Sequence, residues 1–321
     1  MKLLFFTNDK RKIYEVFSEK IIYKIKERFE VIGFYGIKEL DTNLDAVRSA
    51  EIIVTTWDIP YLKSDQIRYY FPILKNIYYT AGESKHILKN YKDSGIKIID
   101  SKSVNSEFVA DYILGMIIVQ SKNILMAQKK YKLPFYRLSY NKARQYVMKS
   151  NGNYKKVVGL IGIGSIGRYV LKKLQSLNYE ILVYDPFISL ETLDNFSFES
   201  VELEELFTRS DIISSHLPDN ENTKNAINSY LIGKMKNNVV FINTGREAQV
   251  DYKALTKFMK RNKYASAILD VTNHEPVLPT SRLLRCDNIF ITPHIAGSFS
   301  KERYLLGEYI FLKLTEDFLN N

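Results

Sequence analysis

The sequence predicts an α/β fold in two domains, and three observations carry that prediction. Short apolar runs bounded by polar turns alternate with segments of helical spacing along nearly the whole chain, the pattern of buried parallel strands joined by helices. One alternation, from Lys155 to Pro186, encloses a glycine-rich turn. The 321 residues are 45% apolar, enough for two ordinary cores, and no run of about 18 apolar residues exists to cross a membrane.

Residues 1 to about 103 open the chain. Strands are predicted at Leu3 to Phe6, Val31 to Phe34, Ile52 to Thr55, Ile77 to Thr80 and Ile96 to Ile99, and helices at Lys10 to Arg28, Asn43 to Ser49 and Ser64 to Tyr70. This stretch has no glycine phosphate loop of its own. Trp57, just past the third strand, either lines a cleft or packs in a core. The longest helical signal runs from Val104 to about Met126, with Phe108, Tyr112, Met116 and Val119 among its apolar positions and Ser106 as N-cap. So apolar a helix is expected to be buried between domains or between subunits. Residues 127 to 154 are basic, aromatic and poorly periodic, and read as a connection ending in the turn Ser150-Asn151-Gly152-Asn153.

The next unit is a predicted strand, turn, helix and strand. Val157 to Ile161 leads into Gly162-Ile163-Gly164-Ser165-Ile166-Gly167, a helix follows with Val170, Leu171, Leu174 and Leu177 on one face, and Ile181 to Tyr184 ends in Asp185, 18 residues after the last glycine. Gly162 permits a tight turn, Gly164 lets backbone approach a pyrophosphate, and Gly167 lets helix and strand pack closely. The helix N-terminus offers free amides to the phosphates. Asp185 stands where a carboxylate accepts from a ribose 2′-OH, which favours NAD over NADP.

Four later strands end in polar residues: Ile212 to Ser215 before His216-Leu217-Pro218, Val239 to Ile242 before Asn243-Thr244-Gly245-Arg246, Ala267 to Leu269 before Asp270, and Ile289 to Thr292 before Pro293-His294. Ligands of parallel sheets bind at carboxyl strand ends, so these residues are expected at the edge that carries the glycine turn. Arg246, Glu275 and His294 are the catalytic candidates. Histidine titrates near neutrality, a carboxylate beside it fixes the ring and favours its charged form, and arginine grips a carboxylate with two parallel bonds. The tail from Ser298, with Tyr304, Leu305, Tyr309, Leu312 and Phe318, reads as an amphipathic helix.

Composition narrows the rest. The only cysteine, Cys286, excludes an internal disulfide and any multi-cysteine metal site, so no metal is expected and a reducing cytoplasm suits the chain. A formal charge of +10 comes from lysines scattered among acids, which points to a solvated surface and away from nucleic acid. Met1 to Asp9 is too short an apolar segment for a signal peptide. The four histidines are His86, His216, His274 and His294, of which His86 and His274 are expected to be structural or surface residues.

Asn243-Thr244-Gly245-Arg246-Glu247, Asp270-Val271-Thr272-Asn273-His274-Glu275-Pro276, Thr292-Pro293-His294-Ile295-Ala296-Gly297 and His216-Leu217-Pro218 with Thr223 resemble, in order, the motifs of the D-isomer-specific 2-hydroxyacid dehydrogenases. The resemblance covers roughly residues 76 to 310. It implies a Rossmann NAD-binding domain inserted into a flavodoxin-like substrate domain, with boundaries at 1 to 103, 104 to 293 and 294 to 321. It further implies an NAD-dependent oxidoreductase that interconverts a 2-oxo acid and a D-2-hydroxy acid. Arg246 would bind the acid, His294 would protonate the carbonyl oxygen and Glu275 would hold the histidine. Gly162, Gly164, Ser165, Ile166, Gly167, Asp185, His216, Leu217, Pro218, Thr223, Thr244, Gly245, Asp270 and Gly297 would line NAD, with Asp270 at the nicotinamide carboxamide. Ala81 and Gly82 would meet the substrate, and the chain would form a cytoplasmic homodimer through the cofactor domain.

Three positions depart from the family. Glu247 replaces the usual glycine after the arginine, Thr80-Ala81-Gly82-Glu83-Ser84 lacks the common Gly-x-Gly-x-Asp form, and Asp111 stands where glutamate is usual. These bear on the substrate and leave open a degenerate member without strong turnover, and because related co-repressors can retain the same three residues, an NAD-responsive binding protein is also left open.

Overall fold

A computed structural model describes residues 1–82, 85–132, 136–148, 152–187 and 193–319. The predicted positions Glu83, Ser84, Ser150 and Asn151 lie outside the described residues, and of His86 only the backbone is described. The chain forms two compact units, Met1–Ser106 with Ser298–Asn321 and Glu107–Gly297.

The first unit is built on a five-stranded parallel sheet of β1 (Lys2–Phe6), β2 (Glu30–Tyr35), β3 (Ile52–Thr55), β4 (Asn76–Tyr79) and β5 (Lys97–Asp100), in the order β2-β1-β3-β4-β5. That is the flavodoxin-like order. Helices α1 (Lys10–Val16), α2 (Glu19–Arg28), α3 (Leu44–Arg48), α4 (Ser64–Tyr70) and α5 (Lys85–Asp93) link the strands. Both faces of β1 are buried, Leu4 and Phe6 in one apolar cluster and Leu3 and Phe5 in the other, which is why strands of this kind read as unbroken apolar runs.

The second unit takes in most of α6 (Lys102–Ser121), then α7 (Ile124–Tyr131), α8 (Tyr136–Met148) and a seven-stranded parallel sheet. Its elements are β6 (Val157–Ile161), α9 (Ser165–Leu174), β7 (Glu180–Tyr184), β8 (Glu199–Ser200), α10 (Leu203–Arg209), β9 (Ile212–Ser215), α11 (Ser229–Lys234), β10 (Val240–Asn243), α12 (Tyr252–Arg261), β11 (Ser266–Leu269) and β12 (Ile289–Ile291). The order β12-β11-β10-β9-β6-β7-β8 is the doubly wound Rossmann arrangement with one further strand. Helix α13 (Arg303–Leu319) belongs to the first unit, where Leu306, Ile310, Phe311 and Leu314 pack with Ile13, Val16 and Phe17.

Several expectations are corrected. The helix predicted over Lys10 to Arg28 is two helices, because Phe17 leaves the helical region and Ser18 accepts from Ile21 N to cap α2. The long helix ends at Ser121, and Asn123, at φ 53°, turns the chain into α7. Ser106 is no N-cap: it lies inside α6 and donates to Lys102 O at 2.8 Å, the alternative use of a serine hydroxyl. One face of α6 packs on its own sheet, where Val109, Ala110, Ile113 and Ile117 meet Val158, Leu160 and Val240, while Ile118 on another face is exposed. Residues 127 to 154 contain helix α8 and the end of α7, not an irregular connection. Among the described residues no single helix is long and apolar enough to cross a membrane; α6 and α7 reach that length only across a 57° bend.

Candidate active site

Strand register builds the site. Ile161, Ser215, Asn243, Leu269 and Ile291 lie opposite one another across neighbouring strands, with Tyr184 beside Ile161. The residues that follow, Gly162, His216, Thr244, Asp270, Thr292 and Asp185, therefore leave the sheet along one carboxyl edge. β6 and β9 are neighbours whose helices diverge, which opens the crevice at that point.

The glycine turn is held from both sides. Gly162 has φ +85°, a left-handed conformation, and a Cβ there would lie 2.9 Å from His216 O. A Cβ on Gly167 would stand 2.2 Å from Gly162 O, so helix α9 could not pack where it does. Gly164 differs: it is the N-cap of α9, makes no side-chain cap bond, and a Cβ would meet nothing within 4 Å. That leaves a clear approach to amides carrying the positive end of the helix dipole, from Ser165 and Ile166 onward. Asp185 accepts from Ile163 N at 2.7 Å and from Phe187 N at 2.9 Å, which pins its carboxylate beside the turn with lone pairs to spare.

Around the crevice, buried polar atoms lack protein partners among the described residues: Thr244 Oγ1, Ser214 and Ser215 Oγ, and both ring nitrogens of His216. Burial holds the His216 imidazole neutral, its pKa pushed down to about 3. Its side chain points inward, so any contact of this residue with a ligand falls to its backbone. Uncapped amides, an open space at Gly164, a fixed carboxylate and the unpartnered Thr244 hydroxyl at the carboxyl edge together fit a dinucleotide.

The arginine loop is tightly braced. Asn243 Oδ1 accepts from Gly245 N at 3.1 Å, and Tyr252 OH donates to Val271 O at 2.7 Å while receiving Asn243 Nδ2 at 3.3 Å. Gln249 is buried and bridges two loops. Its Nε2 donates to Leu217 O and Pro218 O at 3.0 and 2.9 Å, and its Oε1 accepts from Arg246 N at 3.3 Å. Thr223 locks the same loop by donating to Pro218 O at 2.6 Å. The Arg246 guanidinium donates from Nη1 to Gly245 O at 2.9 Å, and its Nε lies 3.4 Å from Asp219 Oδ2.

His294 Nδ1 lies 2.8 Å from Glu275 Oε2, and the other Glu275 oxygen accepts from Thr272 N at 3.2 Å. With Nδ1 held by a carboxylate, Nε2 is the nitrogen left for a reaction. His294 has φ 55°, and Asp270 explains how that is sustained. The buried Asp270 carboxylate accepts from Thr292 Oγ1 at 2.6 Å, Ile295 N at 2.9 Å and Ala296 N at 2.8 Å, wrapping the turn that bears the histidine, up to half-buried Gly297. Tyr112 OH lies 2.7 Å from Thr292 Oγ1 and, since that hydroxyl gives its proton to Asp270, is the donor. β10 and β12 flank β11, so the strand ends that lead to Arg246 and His294 lie about 10 Å apart.

Of the predicted site residues, the second unit thus brings the glycine turn, Asp185, the 216–218 loop, Thr223, Thr244, Gly245, Arg246, Asp270, Glu275, His294 and Gly297 to one edge. Ala81 and Gly82 follow β4 in the first unit, where Ser101 Oγ donates to Ala81 O. Trp57 is half-buried there, packed against both cores with Arg303 and Lys12 over its ring at 4.6 and 5.6 Å. Sequence reasoning missed Gln249, Tyr252, Tyr112 and Asp219. Only Asp219 left a signal, an acid three residues from His216 in a loop already assigned to the site.

A Rossmann unit with a carboxylate–histidine pair and a braced arginine at the cofactor edge defines a nicotinamide-binding domain of the dehydrogenase class. Residues 114–296 match the sequence pattern of the D-isomer specific 2-hydroxyacid dehydrogenase, NAD binding domain. The chain belongs to that family, and this domain binds NAD. It is 32% identical to a hydroxypyruvate reductase of Thermotoga maritima over 230 residues, 70% of this chain and 71% of that one. With a D-3-phosphoglycerate dehydrogenase of Archaeoglobus fulgidus it shares 30% over 226 residues, 70% of this chain but 41% of the relative, so it spans less than half of that protein. The fold matches apo D-mandelate dehydrogenase of Rhodotorula graminis with a TM-score of 0.82 at 21% identity, covering 98% and 93% of the two chains.

Proposed function

We propose that the protein is an NAD-dependent oxidoreductase that interconverts a 2-oxo acid and a D-2-hydroxy acid. The observation that carries this reading is the 2.8 Å His294–Glu275 pair on the edge that bears the uncapped glycine turn. Bound reduced nicotinamide supplies a hydride to the carbonyl carbon. Arg246 holds the substrate carboxylate, Glu275 fixes the ring through Nδ1, and His294 gives the Nε2 proton to the carbonyl oxygen, or takes it back in the other direction. Ser165, Ile166, Asp185, Leu217, Pro218, Thr223, Thr244, Gly245, Asp270 and Gly297 are assigned to the cofactor, and Ala81 and Gly82 to the substrate. Residues 1 to 103 with 294 to 321 form the substrate domain and 104 to 293 the cofactor domain in this reading. A cytoplasmic homodimer with no nucleic-acid or membrane partner completes it: the family supports the dimer, a lone cysteine suits a reducing compartment, and lysines scattered among acids support a solvated surface.

In a screen of 2-oxo acids with NADH, His294→Ala is expected to lower kcat by about 10² to 10⁴ while NADH affinity holds. Full turnover in that variant overturns the assignment. A second reading, an NAD-responsive binding protein without strong turnover, draws on one observation, the ion pair that Asp219 makes with Arg246. Absence of turnover in the wild type across the screen, with NADH-dependent association of subunits, would favour it.

A further inference from the structure

The partner of Arg246 bears on which acids the site takes, an inference that rests on the reading of Arg246 as the substrate cation. Asp219 follows Pro218 in a loop fixed by Thr223 and Gln249, and Gln249 also holds the backbone of Arg246. A short side chain on a braced backbone therefore faces a guanidinium whose own backbone is braced, and Asp219 Oδ2 lies 3.4 Å from Nε with both side chains partly exposed. Nη1 is turned to Gly245 O. An incoming carboxylate either displaces Asp219 from the Nε side or shares the guanidinium along the Nη1 and Nη2 edge, and in both cases Asp219 stays beside it. Glu247 adds a second carboxylate next in sequence to the arginine, and Glu275 a third on His294.

We propose that Asp219 sets the charge class of the substrate: the site accepts 2-oxo acids with a single negative charge and a neutral or cationic side chain, and rejects those with a second carboxylate or a phosphate. The substrate carboxylate engages the arginine in competition with Asp219, and a further negative charge on the substrate adds repulsion from that neighbouring carboxylate. Asp219 is a specificity residue and does not touch the reacting atoms.

The test reads binding and turnover separately. Oxamate, a monoanion, and oxalate, a dianion, are titrated into the NADH complex of the wild type and of Asp219→Asn by NADH fluorescence. The wild type is expected to prefer oxamate. Asp219→Asn should tighten oxamate about two- to fivefold, the scale of one exposed ion pair, and oxalate about tenfold, since the dianion meets twice the repulsion. Asp219→Glu, which keeps the charge, should restore the preference. Kinetics with glyoxylate and hydroxypyruvate against 2-oxoglutarate and 3-phosphohydroxypyruvate should repeat the order, with the change in KM rather than kcat. An oxamate-to-oxalate ratio unmoved in Asp219→Asn, weaker binding of both ligands in that variant, or a wild type that favours the dianions overturns the proposal. A wild type that turns over none of the four acids while the binding ratio still shifts overturns the oxidoreductase reading alone.

Discussion

Each unit opens its sheet in the same way, with a central strand, a short loop and a helix beside the strand where the winding reverses, yet the two loops are prepared for opposite ends. In the first unit, β1 runs into Thr7-Asn8-Asp9 and Asp9 caps α1, accepting from Arg11 N at 3.0 Å. The neighbouring loop after β3 is equally closed: Asp58 accepts from Thr7 Oγ1 and Thr56 Oγ1 at 2.6 Å each and from Asp9 N at 3.1 Å. In the second unit, Gly164 leaves α9 uncapped, and at the end of β9 and the start of its loop the Ser214 and Ser215 hydroxyls and the His216 ring have no hydrogen-bond partner among the described residues. Topology places a crevice in both sheets. Whether it receives an anion is decided by what the protein has already spent on its own donors.

The widest gap between the two should close in Gly164→Asp, which gives α9 the cap that α1 has. The new carboxylate would take the amides that phosphates need and repel them at short range, so NADH affinity is expected to fall about a thousandfold, near 4 kcal/mol. Stability should hold or rise, because a Cβ at this position meets nothing within 4 Å. Calorimetric titration with NADH checks this, and an unchanged Kd would remove α9 from the phosphate site. Gly164→Ala should cost far less.

Acid separates the units next. His216 stays neutral when folded down to about pH 3, whereas an unfolded histidine takes up a proton near pH 6.5. Between those values the unfolded state binds more protons, so stability rises with pH and is lost as pH falls from about 6.5 toward 3. At about 1.4 kcal/mol per pH unit, moving from pH 6 to 4.5 should remove about 2 kcal/mol of stability from this source. Urea unfolding at both pH values, in the wild type and in His216→Phe, reads the difference. An equally steep acid limb in the variant would assign the loss to other groups.

What the sequence makes legible follows the same division. Strands buried on both faces must be apolar throughout, and where they stop, polar residues stand out, so β6, β9, β10, β11 and β12 and the residues after them could be read directly. Spacing within a motif also survives in the chain, as with Glu275 and His294. Bonds made between loops do not. Asp219 and Arg246, Gln249 and Leu217, and Tyr112 and Thr292 meet only because strand register sets their loops side by side. The helical breaks were hidden for another reason: apolar spacing continues through Phe17 and past Lys122, and only the caps, Ser18 and left-handed Asn123, interrupt it. α8 was obscured because Leu138, Tyr140, Val147 and Met148 are exposed while Ser139 and Ala143 are buried, the reverse of an amphipathic signal.

The smallest expected effect comes from the converse exchange in the first unit. Asp9→Ala removes the cap of α1 and the contact with the Arg11 guanidinium, which is 87% exposed and contributes little. Loss of the cap should lower Tm by a few degrees and leave NADH affinity unchanged. Asp9→Gly reproduces the residue found at the N-cap of α9, yet inorganic phosphate is not expected to bind it. Helix α1 has only seven residues, and Asp58 still accepts from the amide of residue 9, so a carboxylate remains where an anion would sit. Phosphate binding to Asp9→Gly, seen by amide chemical-shift changes in the 7–12 segment, would show that the glycine alone makes the site. Its absence would show that the neighbouring loop, whose Asp58 carboxylate takes the residue-9 amide in the first unit, matters as much as the turn itself.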